Sequence, residues 1–199
     1  MDDLATEAQR RRAIAWATAL TAGTPLQAQA YEQALLERYA RGEVSLPQVL
    51  RALDARVQHV LYRSQAVQAF TAAQLEALLD ESRAYNEAHA ITGLLCYSGG
   101  HFVQVLEGPA EQVHTLYAEI QRDRRHAQVT TLSDGAGPQR FFPDWRMAYV
   151  EVESGKFQGL LSALLPPSAP ESVPALRVPQ LPVQDPHLLT LLAAFGQTR

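Results

Sequence analysis

The sequence is poor in residues that crosslink a chain or bind zinc. Cys96 is the one cysteine among 199 residues, which excludes an intramolecular disulfide and fits a reducing compartment. The six histidines show no paired ligand spacing, which disfavours a Cys/His zinc site. Cys96 lies in an apolar strand pattern between Leu95 and Tyr97, which favours a buried structural thiol over one that bonds covalently to a cofactor.

The sequence also lacks the apolar run of about 18 residues that a membrane-spanning helix requires. It begins with Met1 and two aspartates and has no signal-peptide pattern, so we expect a cytoplasmic protein with no membrane partner. The net charge of −4 disfavours nucleic acid as a partner. The basic run at residues 10–12 stands beside acidic residues and predicts a solvated helix face.

Residues 1–56 are predicted to form a helical N-terminal extension. A first helix is expected over residues 4–20. Thr24 and Pro25 have the pattern of a cap followed by proline at the first helical position, and predict the start of a second helix. The spacing of a capping box at residues 45–48 predicts the start of a third, shorter helix.

Residues 57–152 change in character and are expected to form one domain. Its strands are predicted at 57–64, 91–98, 101–106, 129–132 and 140–152, the last one interrupted near Pro143. Its helices are predicted at 71–86 and from Pro109 onward. The two glycines at 99 and 100 predict a tight hairpin turn. The order β-α-β-β-α-β-β predicts a ferredoxin-like α+β sandwich with one extra strand. Both helices then lie on one sheet face, and the other face needs cover from outside the domain.

Residues 153–199 are expected to hold C-terminal helices joined by a proline-rich connector. A short apolar helix is predicted over 157–165, and the series of prolines after it predicts a semi-extended spacer. A final amphipathic helix is predicted from Asp185 onward. The domain is therefore expected to have helices on both flanks.

Several short segments of residues 57–152 carry a family resemblance when they are taken together. They are Leu61-Tyr62-Arg63-Ser64, Ser82-Arg83-Ala84-Tyr85-Asn86 with Ile91-Thr92-Gly93-Leu94-Leu95, Phe102-Val103-Gln104-Val105-Leu106-Glu107-Gly108, Asp123-Arg124-Arg125-His126 and Trp145-Arg146-Met147. In this order and spacing, over about half of the chain, they resemble the BLUF family of flavin-binding blue-light sensors. The resemblance implies a photoreceptor with noncovalent FAD, or with FMN or riboflavin if the phosphate end is poorly held.

One polar side chain supports this interpretation independently of the family. Gln104 stands in an otherwise apolar strand, on the same face as Phe102 and Leu106 because side chains alternate along a strand. A buried amide without hydrogen-bond partners costs about 1–3 kcal/mol. The hydroxyl of Tyr62 and the edge of a flavin ring would supply those partners.

The resemblance implies roles for the residues of these motifs. Tyr62 would donate an electron and a proton to the excited flavin, and Gln104 would bridge Tyr62 to the N5/O4 edge and change its hydrogen bonding by rotation or tautomerisation. Asn86 would hold the pyrimidine end of the ring. Arg125 and His126 would help to hold the polar edge of the cofactor.

Four further residues follow from the same resemblance. Ile91 and Tyr85 are candidates for contact with the flavin, although Tyr85 could equally cover the end of its helix. Trp145 and Met147 are candidates for the position that exchanges between buried and exposed as the signal leaves the pocket. Because they are two residues apart in a predicted strand, their side chains are expected on the same sheet face.

Two other functions remain open at this point. A flavin enzyme is disfavoured because the sequence has neither a G-x-G-x-x-G loop nor an evident acid/base pair, and it is too short for a cyclase or a cyclic-dinucleotide phosphodiesterase. An interaction module without light sensing is disfavoured by the retention of Tyr62 and Gln104. We expect no enzymatic activity, a homo-oligomer (a dimer or larger), and signalling through a downstream protein partner that the sequence does not identify.

Overall fold

The computed structural model describes residue 4, residues 6–24 and residues 26–164 of the chain. The predicted proline-rich connector and the predicted final helix lie outside these residues, as does Pro25. Among the described helices, none has both the length and the hydropathy that crossing a membrane requires.

Six helices and five strands make up the described part of the chain. In chain order they are α1 (Glu7–Thr21), α2 (Ala30–Ala40), α3 (Leu46–Asp54), β1 (Val57–Ala66), α4 (Ala72–Ala88), β2 (Thr92–Ser98), β3 (His101–Gly108), α5 (Ala110–Arg122), β4 (His126–Gly137), β5 (Ala148–Glu151) and α6 (Ser154–Leu164). The order from β1 to β5 is the predicted β-α-β-β-α-β-β. The α+β prediction with flanking helices is therefore confirmed.

The five strands form one sheet in the order β4-β1-β3-β2-β5. β1 pairs antiparallel with both β3 and β4, β2 pairs antiparallel with β3, and β5 is parallel to β2. Gly99 and Gly100 have φ values of +54° and +83° and make the predicted tight turn between β2 and β3. β4 and β5 lie at opposite edges of the sheet, so residues 138–147, the crossing loop, run from one edge to the other.

The core divides into a cluster on each face of the sheet. The helix-side cluster is formed by buried side chains of α4 and α5 and by those that pack against them from the sheet and its loops. Its members are Val60, Tyr62, Leu75, Leu79, Ile91, Leu95, Tyr97, Phe102, Leu106, Val113, Tyr117 and Met147. Thr71 and Gln74 form a capping box at the start of α4. Both central helices therefore lie on one face of the sheet, as expected.

The opposite face is covered by α6 and by part of the crossing loop. Phe157 and Leu160 of α6 are buried there with Phe142 of the loop, against Leu61 and Val103 of the central strands. The cover that the sequence requires thus comes partly from α6, which follows the sheet, and partly from the crossing loop, which lies within residues 57–152.

The N-terminal helices make a small cluster of their own beside β4. Tyr31, Leu35, Tyr39 and Val49 are buried within it, and Ala136 of β4 packs against it. α1 contacts α2 through the bonds of Arg11 to Glu37 but has no buried residue of its own. The N-terminal extension therefore reaches the sheet at its β4 edge.

Two boundaries differ from the predictions for the helical extension and the first edge strand. α2 begins at Ala30, because Gln29 and Glu32 form its capping box, whereas the Thr24 hydroxyl bonds within a turn to the Thr21 carbonyl and the Leu26 N–H. β4 is longer than predicted because the ten-residue β1 offers a long ladder of backbone partners, so its polar sequence is drawn into the sheet.

The last strand is much shorter than predicted. β5 has four residues, within the segment 140–152 that was predicted to hold a strand interrupted near Pro143. Residues 138–147 are irregular, and the Trp145 N–H bonds back to the Phe142 carbonyl in a turn. Alternation of side chains between the two faces therefore starts only at Ala148.

Candidate functional site

A cavity of about 170 Å³ lies between α4, α5 and the helix side of the sheet. Its walls come from α4 (Leu78, Glu81, Ser82, Tyr85, Asn86), α5 (Leu116, Glu119, Ile120), the central strands (Tyr62, Leu95, Phe102, Gln104) and four residues at its margins (Asp123, Arg125, His126, Met147). The walls combine apolar side chains with polar and charged groups, a combination that can bind and orient a small molecule.

A tyrosine and a glutamine form the polar centre of this cavity. Tyr62 and Gln104 are directly opposite one another on β1 and β3, and the Tyr62 Oη donates a hydrogen bond to Gln104 Oε1. Tyr62 is 1% exposed, and its burial raises the pKa of the phenol, with nearby Tyr117 and Asp123 adding to the shift. The phenol therefore stays protonated and acts as the donor.

The other end of the Gln104 amide contacts a methionine. Gln104 Nε2 donates to the Met147 Sδ over 3.3 Å, and Met147 is 3% exposed. Thioether sulfur is a weak acceptor and cannot donate. The chain Tyr62–Gln104–Met147 therefore fixes the orientation of the amide, because the reverse orientation would lose the contact with sulfur.

Asn86 presents a polar atom that the chain itself leaves unsatisfied. Its Nδ2 donates to the Arg146 carbonyl at 2.5 Å, while its Oδ1 is buried and has no hydrogen-bond partner among the described residues. A buried acceptor without a donor costs about 1–3 kcal/mol. The N–H of a flavin ring is a donor of the kind this atom needs, so the residues present fit the group that the sequence implies.

The charged margin of the cavity contains Arg125 with two acidic partners. Arg125 pairs with Asp123 at 2.6 Å and lies 3.7 Å from Glu81. The guanidinium lowers the pKa of Asp123, and the carboxylate raises the pKa of Arg125. His126 hydrogen-bonds Ser64 at 2.9 Å, and burial lowers the pKa of its imidazole.

The remaining predicted contact residues lie at different depths. Tyr85 lines the cavity and stacks on His89, with ring centroids 3.9 Å apart. Ile91 is fully buried in the helix-side cluster but is not among the residues that line the cavity.

The prediction that Trp145 and Met147 share a sheet face is wrong. Met147 is in the helix-side cluster, whereas Trp145 packs on the opposite face and stacks on Phe142 with centroids 5.3 Å apart. The prediction assumed a strand through both residues, but they lie in the crossing loop, where the period of two does not apply. The structure therefore has Met147, and not Trp145, beside Gln104.

Comparison with known families identifies the segment of the chain that contains this cavity. The family model for sensors of blue-light using FAD, BLUF, matches residues 57–148. Residues 57–148 are therefore identified as a BLUF domain. This confirms the family and the blue-light sensor class that the motifs imply.

The curated relatives of the BLUF domain are much longer than the segments that match it. Photoactivated adenylate cyclase subunit beta of Euglena gracilis is 34% identical over 108 residues, which are 54% of this chain and 13% of that protein. The blue light- and temperature-regulated antirepressor BluF of Escherichia coli (strain K12) is 34% identical over 105 residues, or 53% of this chain and 26% of that protein. The chain thus covers only a minor part of these relatives.

Among solved structures, the dark-state structure of the BLUF protein BlrB is 32% identical to this chain. The match covers 53% of this chain and 79% of that one, with a TM-score of 0.48.

Several cavity residues of the BLUF domain were not singled out from the sequence for this role. Leu78 and Ser82 recur at helical spacing on α4, and Leu116 and Ile120 do so on α5. Such spacing predicts only that a residue faces the sheet. It does not distinguish a wall of the cavity from ordinary core packing.

Cys96 lies away from the cavity of the BLUF domain. It is buried in the cluster on the α6 side of the sheet, and burial raises the pKa of its thiol to about 12. A thiol on that face cannot reach a ring between α4 and the sheet, and it stays protonated. The position agrees with the expected structural thiol.

Proposed function

We propose that this chain is a blue-light receptor that binds FAD noncovalently in the α4–α5 cavity and signals through Tyr62 and Gln104. One observation carries the proposal. A buried tyrosine, a glutamine amide and a thioether form a single hydrogen-bonded chain along the wall of the cavity. The unsatisfied Asn86 Oδ1 supports the placement of the ring in the same cavity.

The chemistry of these residues follows from their donors and acceptors. When bound, the flavin supplies absorption of blue light and an excited state that accepts an electron. Tyr62 holds its proton on Oη in the dark, and its buried phenol donates that proton in a hydrogen bond to Gln104 Oε1. Rotation or tautomerisation of the Gln104 amide exchanges its donor and acceptor ends. The two arrangements of one side chain are then the dark and signalling states.

The space next to the cavity favours FAD over a shorter flavin. A shallower hollow of about 530 Å³ shares Leu78, Glu81 and Arg125 with the walls of the cavity. It offers room for the part of a dinucleotide beyond the ring. Arg125 is already paired with Asp123, so we expect the phosphates to add less affinity than the ring does.

We further propose that residues 57–152 form the sensing domain and that the flanking segments 1–56 and 153–199 form the output. α6 lies on the sheet face opposite the cavity, and the N-terminal helices contact β4, so both flanks can report a change in the sheet. Light would then alter contacts with a protein partner, without an enzymatic activity of the chain itself. We propose that the receptor assembles as a homo-oligomer in the cytoplasm.

Absorption spectroscopy of purified variants tests the proposal. The wild-type protein should release free flavin when it is denatured, and before that should show a red shift under blue light that reverses in the dark. Tyr62→Phe and Gln104→Leu should each keep flavin and lose the shift. Tyr97→Phe is the matched control, because Tyr97 is buried in the same cluster without lining the cavity.

Two results would reject the proposal. A Gln104→Leu protein that cycles normally would remove the amide from the mechanism. A wild-type protein that binds flavin but shows no reversible shift would instead be a flavin-binding interaction module.

A further inference from the structure

A fully buried carboxylate lies on the sheet face opposite the cavity. Glu107 of β3 is 0% exposed and stands three residues beyond Gln104, so the two side chains project from opposite faces. Its Oε1 accepts the Phe141 N–H at 2.9 Å, and its Oε2 accepts the Phe142 N–H at 3.0 Å. A buried carboxylate is costly unless it is hydrogen-bonded. Both of these close bonds are made with the crossing loop.

Two basic side chains fasten the same part of the crossing loop to the ends of the central strands. Arg140 Nη1 donates to Thr92 Oγ1 and to the Glu107 carbonyl, each at 2.8 Å. His59 Nε2 lies 3.1 Å from the Gln139 carbonyl and 3.5 Å from Glu107 Oε1. The first half of the crossing loop is therefore held to β1, β2 and β3.

The second half of the crossing loop connects these contacts to the cavity. The Trp145 N–H bonds to the Phe142 carbonyl at 3.2 Å, and the Trp145 carbonyl accepts the Gly93 N–H at 2.9 Å. Met147 follows two residues later, with its sulfur on Gln104. A displacement of Phe142 would therefore move the residues that decide which side chain faces Gln104.

We propose that Glu107 is a positioning residue of the photoreceptor, which holds the crossing loop in the arrangement that puts Met147 rather than Trp145 beside Gln104. The inference rests on the proposed light-sensing function. It requires a carboxylate because the Phe141 and Phe142 N–H groups bond to different oxygens of the one side chain. A glutamine has a single acceptor oxygen, so its NH₂ group would face one of the two N–H donors.

The test compares Glu107→Gln with Glu151→Gln in a Trp16→Phe background. Trp16 is 71% exposed, and its removal leaves Trp145 as the single tryptophan. Glu151 is the matched control, because it is an exposed residue at the end of β5. The measurements are acrylamide quenching of Trp145 fluorescence in the dark, the amplitude of the red shift, the rate of dark recovery and the melting temperature.

We expect Glu107→Gln to keep flavin and the red shift, because Tyr62 and Gln104 are unchanged. It should alter the quenching of Trp145 and change the dark recovery rate about tenfold, the size expected for one unsatisfied buried donor. Glu151→Gln should do neither. If Glu107→Gln lowers only the melting temperature, with quenching unchanged and recovery within about twofold of the parent, the carboxylate has a structural role alone and the inference is wrong.

A second variant tests the positioning role of Glu107 if Glu107→Gln does not fold. Thr92→Val removes a hydroxyl that contacts both Glu107 and Arg140 while keeping the shape of the side chain. A change in Trp145 quenching and recovery in Thr92→Val supports the inference, and no change overturns it. A parent protein without any light response would reject the proposed function, and the dark quenching of Trp145 would still decide the role of Glu107.

Discussion

Replacing Asn86 by alanine should separate cofactor binding from the stability of the fold. In the apoprotein the substitution removes the Nδ2 bond to the Arg146 carbonyl, but it also removes the unsatisfied Oδ1. A neutral hydrogen bond contributes about 0.5–1.5 kcal/mol, whereas an unsatisfied buried acceptor costs about 1–3 kcal/mol. Alanine is also the better helix former by up to about 0.7 kcal/mol. The apoprotein should therefore keep or gain stability.

Flavin affinity should change in the opposite direction. If the ring supplies the donor for Oδ1, loss of this hydrogen bond removes about 0.5–1.5 kcal/mol of binding free energy. The dissociation constant for flavin then rises about 2-fold to 13-fold. Titration of apoprotein with FAD, followed by flavin fluorescence, measures the affinity, and thermal unfolding without flavin measures the stability. Glu87→Ala is the matched control, since Glu87 is the next residue of α4 and is exposed.

The opposite pair of results would refute this reasoning. If Asn86→Ala lowers the melting temperature of the apoprotein and leaves the affinity for FAD within about 2-fold of the wild type, Asn86 stabilises only the end of α4. The Oδ1 atom would then have no part in holding the ring.

Two further substitutions test the sheet and the margin of the cavity. Gly93→Ala should prevent folding or lower the melting temperature sharply, because a Cβ there would lie 2.1 Å from the Val105 carbonyl oxygen. Gly155→Ala is the control, since a Cβ at Gly155 would have no atom within 4 Å. A Gly93→Ala protein as stable as that control would contradict the structure. Because burial lowers the pKa of His126 below its unfolded value of about 6.5, the folded state should lose stability as the pH falls from about 6.5 through the folded pKa. His126→Gln should flatten this dependence of the melting temperature on pH, and equal slopes for both proteins would argue against it.

The contact between Tyr62 and Gln104 could be predicted from the sequence because each residue lies within a regular strand. Alternation gives the face of a side chain wherever the backbone is extended, and an amide among apolar neighbours indicates a buried polar contact. The same pattern failed at Trp145, because its segment is a loop whose path depends on bonds to distant residues. No local pattern near residue 145 indicates those bonds.

Glu107 shows why part of the site could not be predicted. Within the sequence it resembles the exit of a strand, where a charged residue is usually exposed. Its burial depends on N–H groups of Phe141 and Phe142, more than thirty residues away. The prediction of where α2 begins was wrong for a related reason. Two capping patterns occur close together, and the helix follows the one at Gln29.

The placement of β4 and β5 at opposite edges sets a minimum length for the segment between them. Neighbouring strands are about 4.8 Å apart, so the path across a five-stranded sheet is about 19 Å. An extended chain gains at most about 3.3–3.6 Å per residue, so about six residues are the fewest that reach. The ten residues from 138 to 147 leave a slack of about four residues. A deletion of more than these spare residues would detach β5 from the sheet, whereas a shorter deletion could leave β5 paired with β2.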